Sequence, residues 1–246
     1  MKIIPLSEGA FTVDKTKHFI PFDLEKDTLQ ERNTGSLLVE IQPFAVITVH
    51  DILLLDTGLG FKGEDGILQV HKNLYDNGIH PGDVTKVLLS HLHKDHSGGI
   101  SEEKNGSRTL SFTNATYYAN RQEFDFAIEK EGASFITEDF LLLKNSPQLK
   151  FIEGRGIIDD YIYYEDTNAH SPHHQVFWIE EDNEKVFFGG DVAPQLQQMK
   201  NRFIAKYDFD GKKSMQLRQE WWRNGEKEKW TFLFYHDIRS PVYRFP

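Results

Sequence analysis

Short runs of branched and aromatic residues, each bounded by turn-forming residues, occur at 36–41, 45–49, 52–55, 84–89, 116–119, 175–179 and 231–235. Runs of this length and composition predict β-strands. Apolar residues three to four positions apart predict helices instead. Ile67, Val70 and Leu74 place one helix over 66–77, before Gly78; Leu217 and Trp221 place another over 214–224, between Ser214 and Gly225; a third is expected over 121–131. Strands come early and again late, with helices between, so two β-rich halves flanked by helices are expected rather than an alternating βα barrel. The polar stretch 101–108 reads as a long surface loop and 226–229 as a solvated turn, while Trp221-Trp222 reads as one core and one edge residue.

Composition narrows the chemistry. The 246 residues fit a single domain over 1–246, with no repeat, low-complexity tract or Pro/Ser-rich linker to divide it. A net charge of −10 argues against partners held by neutralising phosphate, whether nucleic acid or an anionic membrane. With no cysteine, disulfides, thiolate ligands and cysteine nucleophiles are excluded, leaving histidine, carboxylate and hydroxyl groups to do any chemistry. The first residues turn polar by Ser7-Glu8, too soon for a signal sequence, and no apolar run is long enough to span a bilayer, so a cytoplasmic location is expected.

Three of the eleven histidines fall in one run, His91-Leu92-His93-Lys94-Asp95-His96-Ser97-Gly98-Gly99, directly after an apolar strand. In extended backbone, residues two apart point the same way, so His91 and His93 can share one metal ion. A turn into a helix, eased by Gly98-Gly99, would let Asp95 and His96 converge on a second. A polar loop with Asp95 as a helix cap is the alternative, and it leaves three clustered imidazoles unexplained.

This run resembles the His-x-His-x-Asp-His signature of the metallo-β-lactamase superfamily. Upstream, Asp56-Thr57-Gly58 resembles the family's strand-end Asp-Thr-Gly, and downstream His170-Ser171-Pro172-His173-His174 resembles its Gly-His-Thr-Pro-Gly-His segment. Gly190-Asp191 resembles the strand end that supplies a bridging carboxylate, and Tyr235-His236-Asp237-Ile238 resembles the segment carrying the last histidine. The resemblance implies a four-layer αβ/βα sandwich of two mixed sheets with helices outside, in the α/β (α+β) class. It implies His91, His93 and His174 on one metal, Asp95, His96 and His236 on the other, and Asp191 between them, with Asp56 holding a ligand histidine in one tautomer. Ala169 and His173 stand where the family has glycine, and register on Pro172 assigns the ligand to His174 rather than His173. His18, His50, His71, His80, His170 and His173 are left to structural or surface roles.

Residue types separate the branches of the family. The zinc β-lactamases use a cysteine where this chain has Asp191, diiron relatives use glutamate where it has His93, and RNA-processing relatives need a basic surface. Glyoxalase II-like thioesterases share the ligand set, but residues 206–210 and 235–238 look more like the lactonase and organophosphate-hydrolase branch. The implied activity is hydrolysis of an ester-like bond in a small molecule, a lactone or carboxylic ester before a phosphotriester, with a non-catalytic metal-binding protein as the rival. Two divalent ions, zinc foremost but manganese, iron or cobalt also suited to nitrogen and oxygen donors, would acidify a shared water toward a pKa of about 7. Asp95 would pass a proton to the leaving group. In the lactonases a tyrosine three residues after the bridging aspartate is thought to hydrogen-bond the substrate carbonyl; here Pro194 stands there, so acyl-homoserine lactones are expected to be poor substrates unless Tyr207 or Tyr235 replaces that donor.

Overall fold

In the strand Ile52–Leu55, Leu53, Leu54 and Leu55 are all fully buried, although successive side chains leave a strand on opposite faces. The structure, a computed structural model describing residues 1–245, shows where each face is covered. Leu54 joins a core with Val70 and Leu74 of the helix Gln69–Asp76 and Phe124 of the helix Arg121–Glu129. Leu53 and Leu55 share a different core with Phe177, Ile179 and Phe188 of a second sheet. On that sheet neighbouring residues again divide: Phe188 belongs to the core between the sheets, while Phe187 packs outward on Trp221 of the helix Gly211–Glu228, ring centroids 4.8 Å apart. Helix, sheet, sheet and helix therefore stack as four layers, as expected. Each such buried side chain contributes roughly 1.5–3 kcal/mol.

The first sheet runs in the order Lys2–Pro5, Phe44–Ile47, Ile52–Leu55, Lys86–Leu88, Thr116–Asn120 and Leu149–Ile152. Its first three strands are antiparallel and the remainder parallel. The second runs Arg155–Ile158, Ile162–Asp166, Gln175–Glu181, Glu184–Phe188, Thr231–Leu233 and Val242–Arg244, antiparallel except where Glu184–Phe188 meets Thr231–Leu233. Each sheet thus contains adjacent parallel strands, and the candidate site lies just past their C-terminal ends. Asp56 follows Ile52–Leu55, the histidine run follows Lys86–Leu88, Asp191 follows Glu184–Phe188 and His236 follows Thr231–Leu233. A smaller antiparallel sheet, Phe19–Pro21, Gly9–Val13 and Leu37–Ile41, stands beside them.

Two readings of the sequence are corrected. Residues 101–108 do not form a loop but most of an antiparallel hairpin, Ser101–Lys104 with Ser107–Leu110, turned at Asn105-Gly106 with φ of 52° and 76°. Such an Asn-Gly pair suits a hairpin turn that needs positive φ at both central positions. Residues 226–228 complete the last turn of the long helix, which stops at Lys229 in the left-handed conformation. Trp221 is buried and Trp222 packs at the edge against Phe245, at 4.7 Å, as expected. Among the described residues no helix is long and apolar enough to cross a membrane.

Candidate metal centre

Asp56 is the hinge of the site. It has a φ of +56°, a left-handed conformation in which aspartate is among the better tolerated non-glycine residues, and its side chain is fully buried. Its Oδ1 accepts the Ser90 backbone N–H at 2.7 Å, and its Oδ2 accepts the Ser90 hydroxyl at 2.7 Å and His96 Nδ1–H at 2.7 Å. Ser90 Oγ in turn lies 3.0 Å from His91 Nδ1. One carboxylate thereby fixes two imidazoles, one directly and one through a hydroxyl. Burial raises the Asp56 pKa, and the neighbouring His96 opposes that rise.

The far nitrogens of two other imidazoles are also tied. His236 Nδ1–H donates to the Glu40 carbonyl at 2.7 Å, and His170 Nδ1 lies 2.9 Å from Oδ1 of Asp208, whose side chain is fully buried. Their Nε2 atoms turn to a common centre. His91 Nε2 is 2.9 Å from His93 Nδ1, His93 Nδ1 is 3.2 Å from His170 Nε2, and His170 Nε2 is 3.2 Å from Asp191 Oδ2. Asp191 Oδ1 faces the other way, 3.1 Å from His96 Nε2 and 2.9 Å from His236 Nε2, with Asp95 Oδ2 at 3.7 and 3.6 Å from those nitrogens. Two donor groups result, His91, His93, His170 and Asp191 in one and Asp95, His96 and His236 in the other, each compact enough to hold one ion.

The donors fit metal. His96 Nε2 and Asp191 Oδ1, though 3.1 Å apart, are buried without a well-aligned hydrogen bond, an expensive condition unless something else satisfies them. Burial, reinforced by neighbouring imidazoles, holds His91 and His93 well below the usual histidine pKa, so both keep free lone pairs. Burial alone would raise Asp191, but His236, His96 and His170 outweigh it and hold the carboxyl well below its ordinary range. Imidazoles oriented through their second nitrogen are the usual companions of a bound ion.

His174, expected among the ligands, lies beside the cluster but outside both donor groups. Its ring centroid lies 5.0 Å from that of His91, but its Nε2 accepts the Asp191 backbone N–H at 3.2 Å and its Nδ1 lies 3.2 Å from Thr167 Oγ1, so both ring nitrogens already have protein partners. Gly190 makes that docking possible: at φ +47°, a Cβ there would lie 2.6 Å from His174 Nε2. His170, assigned no chemistry from sequence, stands in the first donor group instead. Gly98 and Gly99 also act differently from expectation. Gly98 has ordinary right-handed φ, and Cβ atoms at the two positions would collide with the carbonyls of Leu59 and Thr57 at 2.3 and 2.2 Å, so these glycines let the helix Lys94–Ser97 lie against the Asp56 turn. Other supports could not be read from the sequence. Glu123 accepts from Leu92 N and Ser171 Oγ, joining the two histidine-bearing loops, and buried Arg218 donates to the Val192 carbonyl beside Asp191.

The centre opens into a cavity of about 710 Å³ whose lining includes Val13, Phe19, Leu37, Phe203 and Ile204, with His93, Asp95, His170, Asp191 and His236 exposed to it. Pro194 lines it too, its carbonyl already accepting from His236 N. Tyr235 is fully buried, stacked on His96 and donating to the Asp95 carbonyl at 2.6 Å, so it cannot reach a substrate. Tyr207 lines the cavity, its oxygen accepting from Gln198 and its own O–H uncommitted.

A profile of the metallo-beta-lactamase superfamily matches residues 44–228. The chain is 34% identical over 172 residues to the N-acyl homoserine lactonase AttM of Agrobacterium fabrum, covering 65% of this chain and 60% of that protein. It is 29% identical over 178 residues to the N-acyl homoserine lactonase AiiA of Bacillus thuringiensis subsp. kurstaki, covering 72% and 64%. The chain thus spans less than two thirds of the length of these relatives. Its fold matches the dizinc quorum-quenching lactonase AidC with a TM-score of 0.74 at 20% identity over 98% of this chain and 88% of that one. It matches a probable metal-dependent hydrolase from Staphylococcus aureus with a TM-score of 0.79 at 19% identity, over 99% and 91%.

Proposed function

The chain belongs to the metallo-β-lactamase superfamily, and from that premise we propose that it is a dinuclear metal-dependent hydrolase of an ester-like bond, a lactone or carboxylic ester. The observation that carries this reading is the pair of donor groups sharing Asp191 at the floor of a cavity of about 710 Å³. His91, His93 and His170 would hold one ion, Asp95, His96 and His236 the other, with Asp191 contributing an oxygen to each. Divalent ions bound there, zinc first among those suited to such donors, would polarise the scissile carbonyl and acidify water. Asp95, buried but lining the cavity, would take the proton of the attacking water and return it to the leaving oxygen. Phe19, Phe203 and Ile204 would shelter the apolar part of a small substrate. Elemental analysis should find close to two divalent ions per chain, and hydrolysis of a chromogenic ester should stop on chelation and return with added metal. Metal-independent turnover, or none in fully loaded protein, would overturn the proposal.

Asp56→Asn tests the orienting role of that carboxylate. An amide can present only one oxygen to the three donors on Asp56, so its NH₂ must face Ser90 or His96. A proton displaced from Nδ1 to Nε2 of His96 would block the nitrogen that points at Asp191. Metal affinity should fall about 10–100-fold, with activity lost at ordinary metal concentrations. Unchanged kinetics with a lowered Tm would instead make Asp56 a structural cap.

Acyl-homoserine lactones should be poor substrates despite the relatives' activity, because Pro194 offers neither a side-chain donor nor a backbone N–H. Losing one preorganised donor to a developing oxyanion costs about 10²–10³ in rate. Steady-state assays should give kcat/KM below about 10⁵ M⁻¹s⁻¹, at or under the low end of the range of about 10⁴–10⁸ M⁻¹s⁻¹ usual for enzymes. A higher value would show that another group supplies the donor, and Tyr207→Phe would identify it if it abolished the excess.

A further inference from the structure

Lys15, Lys17, Lys94 and Lys206 line the same cavity. In a chain with ten more acidic than basic residues, every one of them lacks an ion pair or a hydrogen-bond acceptor for its ammonium among the described residues. Lys17 and Lys94 are only half exposed, and each flanks His93: Lys94 follows it in sequence, and the charge of Lys17 acts on both His93 and Lys94. The Lys94 ammonium lies 5.6 Å from the centroid of Phe19, on the apolar wall. Lys17 is held in a left-handed turn, φ +60°, whose backbone N–H donates to the Asp14 carbonyl at 3.0 Å. Of the carboxylates that line the cavity, Asp14 is occupied within the turn by Thr16 and by Asn33, and Asp95 and Asp191 face the histidines.

Two partly desolvated like charges are unfavourable in the empty protein; Asp95 and Asp139 offset part of this at Lys94, but neither forms an ion pair with it among the described residues. An anionic ligand would relieve both. We propose that Lys17 and Lys94 form a binding site for a negatively charged group on the substrate, so that the hydrolase prefers an ester or lactone carrying an anionic substituent over a neutral one. This rests on the hydrolase reading for the reacting bond, but the anion site stands on the lysines themselves. Lysine ammonium groups are compact point charges with freely rotating donors, suited to a single anionic group rather than to planar bidentate recognition.

The test compares two nitrophenyl esters of similar size, neutral nitrophenyl butyrate and the anionic nitrophenyl half-ester of glutaric acid, with metal-loaded wild type, Lys17→Met, Lys94→Met and Lys94→Arg. The ratio of kcat/KM, anionic over neutral, should exceed about tenfold in wild type, as for a charge-assisted hydrogen bond, and collapse toward one in either Met variant. Lys94→Arg should keep part of the preference. Separately, calorimetric titration of metal-free protein with glutarate and with inorganic phosphate should show salt-sensitive binding that both Met variants weaken, and whichever anion binds more tightly identifies the class. Equal kcat/KM for the two esters, with anion binding indifferent to the lysines, would overturn the proposal and leave the hydrolase reading intact. If neither ester is cleaved but anion binding follows the lysines, the hydrolase reading fails and the anion site remains.

Discussion

Asp191→Ala is expected to abolish metal-dependent hydrolysis and to lower the metal content from near two ions per chain to one or none. The two oxygens of this carboxylate face different donor groups, Oδ2 toward His170 and Oδ1 toward His96 and His236. Two unit charges 4 Å apart interact by about 4 kcal/mol at an effective dielectric of 20, so two dications would repel by about 16 kcal/mol before compensation. A carboxylate between them offsets more of that repulsion than one bound at either side. Its removal should therefore cost more than the about 10²–10³ in rate seen for a single hydrogen-bond donor. Elemental analysis and ester kinetics on the folded variant check this, with Asp191→Asn as the isosteric control. Two tightly retained ions in the alanine variant would show that Asp191 is not the bridge.

His170→Ala and His174→Ala should separate just as sharply. The first removes a nitrogen 3.2 Å from both His93 and Asp191, so one ion and nearly all activity should be lost. The second removes a ring that supports the Asp191 backbone N–H, leaving that buried donor unsatisfied at a cost of about 1–3 kcal/mol. It should show a lower Tm but retain both ions at saturating metal. The reverse pattern, with metal lost from His174→Ala and kept in His170→Ala, would bear out the assignment made from sequence.

The contrast between these histidines marks where sequence reading stops. His91, His93, Asp95 and His96 were legible because their convergence is local, set by a strand end and a single helical turn. The choice between His170 and His174 depends on distant partners: Asp208, 38 residues beyond His170, and the backbone of Asp191, 17 residues beyond His174. Spacing around Pro172 carries no trace of either. Among the strands, Ile52–Leu55 and Thr116–Asn120 were visible because both contribute fully buried residues to the cores. The hairpin Ser101–Lys104 with Ser107–Leu110 was missed because its sequence, SEEK and SRTL, is polar; its pairing shows only in the backbone. The layered halves were foreseen, but the short strands Lys2–Pro5 and Gly9–Val13 were not, since glycine and proline break their apolar pattern.

The site draws on both sheets, and its longest links span most of the chain: Tyr235 to the Asp95 carbonyl over 140 residues, and His236 to the Glu40 carbonyl over 196. Ribosomes add roughly 5–20 residues per second, so His91, His93 and His96 emerge roughly 7–30 s before His236 can meet them. During that interval the nascent histidines are open to whichever ion binds imidazole most strongly, and copper outranks zinc by intrinsic affinity. If the centre holds the ions proposed for it, faithful loading would depend on the metal supply after release from the ribosome, when the final strands close the second donor group and geometry begins to discriminate.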